Sequence, residues 1–142
     1  MKVLLATLLM CCSASLVAEE APLDVETILR EAPSPDDYGG DVRCLSLGRI
    51  REVKALDDRH VTFKVGRDTY YLVQLAHRCP GLRKNSTVAY ETTHSMSICR
   101  LDSIRGTFNF GSVRLGPRCS IPRFQKVTRE QLALLKEALK KG

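Results

Sequence analysis

From residue 42 onward, apolar and polar positions alternate with a period close to two, the pattern of strands with one buried face. Leu45 and Leu47 alternate, Gly48 permits a bulge or a change of face, and residues 50–56 continue the extended run to the turn signal Asp57-Asp58. Val61, Phe63 and Val65 then alternate with His60, Thr62 and Lys64. Gly66-Arg67-Asp68 turns the chain, and Tyr71, Val73 and Leu75 alternate again. These runs predict an antiparallel meander. Pro80-Gly81 breaks the pattern, Asn85-Ser86 turns it, and residues 87–93 and 97–105 predict further strands. Residues 106–122 read as irregular, anchored by Phe108, Phe110 and Val113, with a short last strand at 123–127.

The period lengthens to that of a helix at both ends of this region. Asp24 is placed to cap a short helix carrying Val25, Ile28 and Leu29, which Ala32-Pro33-Ser34-Pro35 stops. At the C-terminus Thr128 is an N-cap with Gln131 three residues later, a capping box, and Val127 with Leu132 forms a hydrophobic staple. Leu132, Leu135 and Leu139, with Leu134 and Ala138 beside them, form the core-facing stripe. Lys136, Lys140 and Lys141 complement the helix dipole. The expected fold is mainly β within the α+β class. It is a small antiparallel curled sheet or partly open barrel of about five to six strands, OB-like at its nearest, with the C-terminal helix packed on it.

The first residues change the reading of the totals. Lys2, the apolar run 3–10 and the small residues Ser13, Ala14, Ser15 and Ala18 have the layout of a secretory signal peptide, with cleavage favoured after Ala18. Its apolar stretch is shorter than the roughly 20 residues a spanning helix needs, so no transmembrane segment is expected. Lipid anchoring at Cys11 or Cys12 is disfavoured, because Leu9-Met10 and Met10-Cys11 precede them where a lipidation signal needs small residues. Three segments follow: a signal peptide (1–18), an acidic leader with a short helix and a Pro/Gly linker (19–41), and a basic, disulfide-linked β domain with a C-terminal helix (42–142). The net charge of +6 divides into +1 over residues 1–18, from Lys2, −7 over residues 19–41 and +12 over residues 42–142. The leader is thereby placed to fold back over the basic body and screen it.

Export leaves Cys44, Cys79, Cys99 and Cys119, an even set that reads as two disulfides in an oxidising compartment. Zinc is disfavoured, since no C-x-x-C pair puts two thiolates on one turn. Three pairings are open. The predicted strand order suits Cys79 with Cys99, leaving Cys44 with Cys119. A redox thiol at Cys79, beside His77 and Arg78, lacks the second cysteine of a C-x-x-C motif.

Catalytic chemistry finds little support. His60, His77 and His94 share no metal-ligand or dyad spacing, and no G-x-S-x-G occurs. Asp57-Asp58 reads as a hairpin turn, and Asp102 as the ion-pair partner of Arg100 or Arg105. His94, Met96 and Cys99 form a soft-metal set only if Cys99 is a free thiol. No catalytic residue, metal or cofactor is therefore assigned.

The stretches CLSLGRI from Cys44, LDDRHVTF from Leu56, YLVQLAHRCPGL ending at Leu82, SICRLDSI from Ser97 and PRCSIPRFQKVT ending at Thr128 carry a family resemblance. Together with the terminal helix they resemble domain-of-unknown-function family 6491, small secreted proteobacterial proteins that are often lipoproteins. The resemblance implies one compact domain and a Gram-negative envelope location, and brings no catalytic residue with it. The chain departs from many relatives in lacking a lipobox, so lipid tethering is not carried over.

The basic body holds most of the functional content. Arg43, Arg49, Arg51 and Lys54 lie in the first hairpin region, and Arg78, Arg83 and Lys84 flank the Cys-Pro-Gly-Leu turn. They form the expected surface for an anionic partner, an envelope component or an acidic protein. Export and the absence of an aromatic-plus-basic motif argue against nucleic acid. The expected function is a non-catalytic periplasmic or secreted interaction module. The competing class is a small envelope enzyme or a soft-metal or thiol-binding protein.

Overall fold

The structure is a computed structural model that describes residues 24–30, 42–109 and 111–141. The expected signal peptide, the Pro/Gly linker and the anchor Phe110 lie outside the described residues. Among the described residues, two α-helices, α1 (Val25–Arg30) and α2 (Arg129–Lys141), accompany ten short strands. These are β1 (Cys44–Ser46), β2 (Ile50–Ala55), β3 (His60–Val65), β4 (Thr69–Gln74), β5 (Val88–Glu91), β6 (Ser97–Cys99), β7 (Ser103–Asn109), β8 (Val113–Leu115), β9 (Cys119–Ser120) and β10 (Gln125–Val127). The chain is thus a small, mostly β member of the α+β class. Its strands are divided among several antiparallel sheets that do not close into a barrel.

The meander β2–β3–β4 is extended by β10 into a sheet ordered β10-β4-β3-β2. Successive side chains of a strand point to opposite faces, and here both faces are covered. Val61, Phe63, Val65, Val73 and Leu75 join the larger core with Leu45, Ile98, Ile104, Ile121 and Phe124. Phe63 and Phe124 meet edge-on, with ring centroids 5.5 Å apart. On the opposite face Leu72 and Val127 pack with Ile28, Leu29 and Leu135 of the helices. The polar partners His60 and Thr62, which alternation assigns to solvent, are therefore buried under the helix layer. The Thr62 hydroxyl offsets its burial by donating to the Lys54 carbonyl at 3.3 Å.

The capping box forms as read. The Thr128 N–H donates to Gln131 Oε1 at 2.9 Å, and the Gln131 N–H donates to Thr128 Oγ1 at 3.1 Å. Leu132 and Leu135 are buried, whereas Leu134 turns outward. Gln131 Nε2 also reaches the Ile28 carbonyl at 3.3 Å, tying α1 to α2. The short helix α1 thus packs on α2.

Two sequence expectations change. The strand expected over 97–105 is two strands, β6 and β7, separated by a turn in which the Asp102 N–H donates to the Cys99 carbonyl. Residues 106–122 are largely extended: β7 runs on to Asn109, and β8 and β9 pair with it. Gly106 hid this continuity, since glycine in a strand weakens the local signal and marks close backbone approach. Here the approaching backbone is that of Gly81 and Leu82.

Candidate functional site

The cysteines form two bridges, Cys44–Cys99 and Cys79–Cys119. The pairing expected from strand order, Cys79 with Cys99 and Cys44 with Cys119, is corrected. That expectation placed the run ending at Cys79 near the one opening at Cys99, one strand apart in the chain. The long-range ladder of β1 with β6 instead sets Cys44 directly opposite Cys99, and Leu45 opposite Ile98. Cys79 is fully buried in the larger core.

One residue beyond Cys44–Cys99, the same register sets Arg43 opposite Arg100, whose N–H donates to the Arg43 carbonyl at 2.8 Å. Like charges directly opposite on paired strands destabilise the pair. The two arginines border a recess of about 360 Å³ that is also lined by Cys44, His94, Cys99 and Leu101, and among the described residues no carboxylate lines it. Arg100 Nε is held by the Pro122 carbonyl at 3.0 Å, and Arg43 has no acid partner among the described residues.

The floor of this site is a turn organised by Asp102. Its carboxylate accepts the Cys99 N–H at 2.7 Å, the Thr93 N–H at 2.9 Å and the Thr93 hydroxyl at 2.6 Å. The expected ion pair with Arg100 or Arg105 does not form: Arg105 binds Glu91 at 2.7 Å and the Gly116 carbonyl at 2.7 Å. Within the turn Leu101 has φ of 72° and is 78% exposed. Left-handed backbone is costly for a branched, bulky residue, so the fold holds an apolar side chain outward beside two arginines.

Burial raises the Asp102 pKa, but the Thr93 hydroxyl, the Cys99 and Thr93 N–H groups and the nearby His94 outweigh it and bring it below the usual aspartate value. A depressed carboxylate contributes stability that is present above its unfolded pKa, about 3.9, and is lost as pH falls through the folded value. Thermal melts of the wild type should therefore fall steeply below about pH 4. Asp102→Asn should melt lower at neutral pH and show a shallower acid limb; parallel acid limbs for the two proteins would refute this assignment.

The seven cations singled out in the sequence do not gather on one face. Arg43 enters the recess. Arg49 follows β1 in a turn, and Arg51 sits in the register shift of β2, an edge strand of its sheet, with Lys54 paired to Glu52 at 2.7 Å. Charged residues and bulges of this kind protect sheet edges from pairing. Arg78, Arg83 and Lys84 share a groove with Asp24, Asp57 and Asp58, and Arg78 lies 3.6 Å from Asp58. A larger groove of about 680 Å³ along α2 has a mixed rim, with Lys84, Lys136 and Lys140 against Glu130 and Glu137.

The other candidate chemistry has structural roles. Asp57 accepts the Arg59 and His60 N–H groups at 2.7 Å and faces His60 Nδ1 at 2.9 Å, anchoring the β2–β3 turn. Burial raises its pKa, but the His60 ring and these N–H donors bring it below the ordinary value. His60 Nε2 is buried without a partner. Cys99 is bonded to Cys44, which removes the thiolate from the soft-metal set with His94 and Met96. Cys79 is likewise bonded, so a free redox thiol beside His77 is not present. Among the described residues, no helix is long and apolar enough to cross a membrane.

Sequence reasoning placed Arg100 as a candidate ion-pair partner of Asp102 and missed Leu101 and the Thr93–Asp102 contact. The available signal was local: a lone leucine between Arg100 and Asp102, in a segment otherwise read as strand. No curated protein and no solved structure matches the chain. The model of the family of unknown function DUF6491 matches residues 1–142, the whole length, and the chain belongs to that family.

Proposed function

We propose that the protein is an exported, non-catalytic interaction module that engages phosphate-bearing headgroups at an envelope membrane surface through Arg43, Arg100 and the projecting Leu101. The carrying observation is the cross-strand pair of arginines in a recess whose described lining holds no carboxylate. An anion lodged between them removes the like-charge penalty that the ladder register imposes. Leu101 adds an apolar tip inside a cationic collar, a combination that suits an anionic lipid surface. Two disulfides and the N-terminal layout support export.

The test is co-sedimentation of the purified, oxidised protein with phosphatidylglycerol vesicles and with phosphatidylcholine vesicles. Binding is expected only to the anionic vesicles, weakening with added salt. At about 1 kcal/mol per surface cation, the double variant Arg43→Gln/Arg100→Gln should bind about 30-fold more weakly. Unchanged binding by a folded double variant removes the recess from the reading.

A further inference from the structure

We infer that Cys44–Cys99 is a thiol–disulfide exchange site, open to an anionic thiol or a dithiol reductant, whereas Cys79–Cys119 is structural. The inference uses the cations of the recess but does not depend on their binding a lipid.

Four observations carry it. First, the two bridges differ in access. Cys44 is exposed and Cys99 9% exposed, so an incoming thiolate meets Cys44 first; in the other bridge the more accessible partner, Cys119, is only half-buried and Cys79 is 0% exposed. Exposed disulfides are the labile ones, and access decides which sulfur is attacked. Second, opening this bridge leaves its strands in place. Leu45 and Ile98, opposite each other in the same ladder, are 3% and 0% exposed and remain held in the core. Third, Arg43, Arg100 and His94 line the same recess as Cys44 and Cys99, and a cationic surround attracts and stabilises thiolates. Fourth, the leaving sulfur has a donor waiting. Cys99 Sγ lies 3.6 Å from Ser97 Oγ, whose hydroxyl can donate to the thiolate. The Asp102 carboxylate behind it already accepts from Cys99 N–H and from both Thr93 donors.

The exchange balances as follows. The attacking thiolate bonds to Cys44 Sγ as the Sγ–Sγ bond breaks, and the bonding pair leaves on Cys99 Sγ, which takes a proton from solvent. With a dithiol, the second thiolate attacks the reductant's own sulfur in the mixed disulfide. Cys44 leaves as a thiolate and is protonated. The dithiol is oxidised to a disulfide, and the protein bridge has gained two electrons and two protons. Cys44 is thus the residue that carries the adduct, and Cys99 the resolving thiol.

The experiment treats the full, oxidised chain with limiting glutathione, quenches with iodoacetamide and locates the modified cysteines by mass spectrometry. Cys44 should carry glutathione and Cys99 the alkyl group while Cys79–Cys119 stays closed, with the first bridge opening at least about tenfold faster. Glutathione found on Cys99, or a Cys79–Cys119 bridge that opens as fast, overturns the inference. A second arm reads the role of the cations. Arg43→Gln should slow reaction with glutathione, whose thiolate form carries net −2, about threefold, and slow reaction with 2-mercaptoethanol, whose thiolate carries −1, by less. Equal rates for wild type and variant with both thiols overturn that role. Vesicle binding is measured on oxidised protein, so its failure and the failure of exchange are separate results.

Discussion

Replacing Cys79 and Cys119 together by alanine should destabilise the protein by about 4 to 5 kcal/mol, near the top of the range for a native bridge. The corresponding Cys44 and Cys99 double replacement should cost about 2 to 3 kcal/mol. Loop closure alone predicts the opposite order. The bridges span 40 and 55 residues, and the longer loop gains only about 0.3 kcal/mol from chain entropy. Burial reverses this small advantage. Cys79 is fully buried among the core residues, so its loss adds a cavity. The bridge also fastens the Cys-Pro-Gly-Leu turn to β9, and through β9 to β7. Cys44 is exposed, and its strand stays anchored by Leu45. Denaturant unfolding of the two double variants at constant m-value measures both costs. Equal losses, or a larger loss at Cys44 and Cys99, would contradict this division of roles.

Gly106→Ala should be among the most damaging single substitutions, costing about 3 kcal/mol or more. A Cβ at Gly106 would lie 2.1 Å from the Gly81 carbonyl carbon and 2.2 Å from the Leu82 nitrogen. These are backbone atoms that no rotamer change can move away. Gly116 makes a similar approach, 2.7 Å from the Pro80 carbonyl oxygen. The Cys-Pro-Gly-Leu turn thus rests on β7 and the segment after β8 where neither has a side chain. Gly48→Ala is the control: its Cβ would meet nothing within 4 Å, and the change should stay within about 0.5 kcal/mol. Comparable losses at the two glycines, in melts run side by side, would sink the packing argument.

What could be read from the sequence follows the range of the interactions. The β2–β3–β4 meander and the Thr128–Gln131 capping box depend on neighbours a few residues apart, and both were legible. The turn at Leu101 was not, because Asp102 organises it through Thr93 on a preceding segment. The burial of His60 and Thr62 was also out of reach, since alternation reports one buried face and cannot show that helices cover the other. The disulfide pairing and the Arg43–Arg100 juxtaposition share one cause. Both follow from the pairing of β1 with β6 across 55 residues, and no local pattern announces that register. The seven cations singled out by chain position are therefore dispersed among the turn after β1, an edge strand, two grooves and the recess. The partner that mattered for Arg43 was Arg100.

The central claim is that this juxtaposition, rather than overall positive charge, selects an anionic surface. Its most direct test compares phosphatidylglycerol-vesicle affinity for two variants of equal charge, Arg43→Gln/Arg100→Gln in the recess and Lys84→Gln/Lys136→Gln along the α2 groove. Each loses two positive charges, so a purely electrostatic, site-independent attraction weakens both alike. The account predicts about a 30-fold loss for the recess variant and a loss of less than about fivefold for the groove variant. Equal losses, or a greater loss in the groove variant, would contradict it.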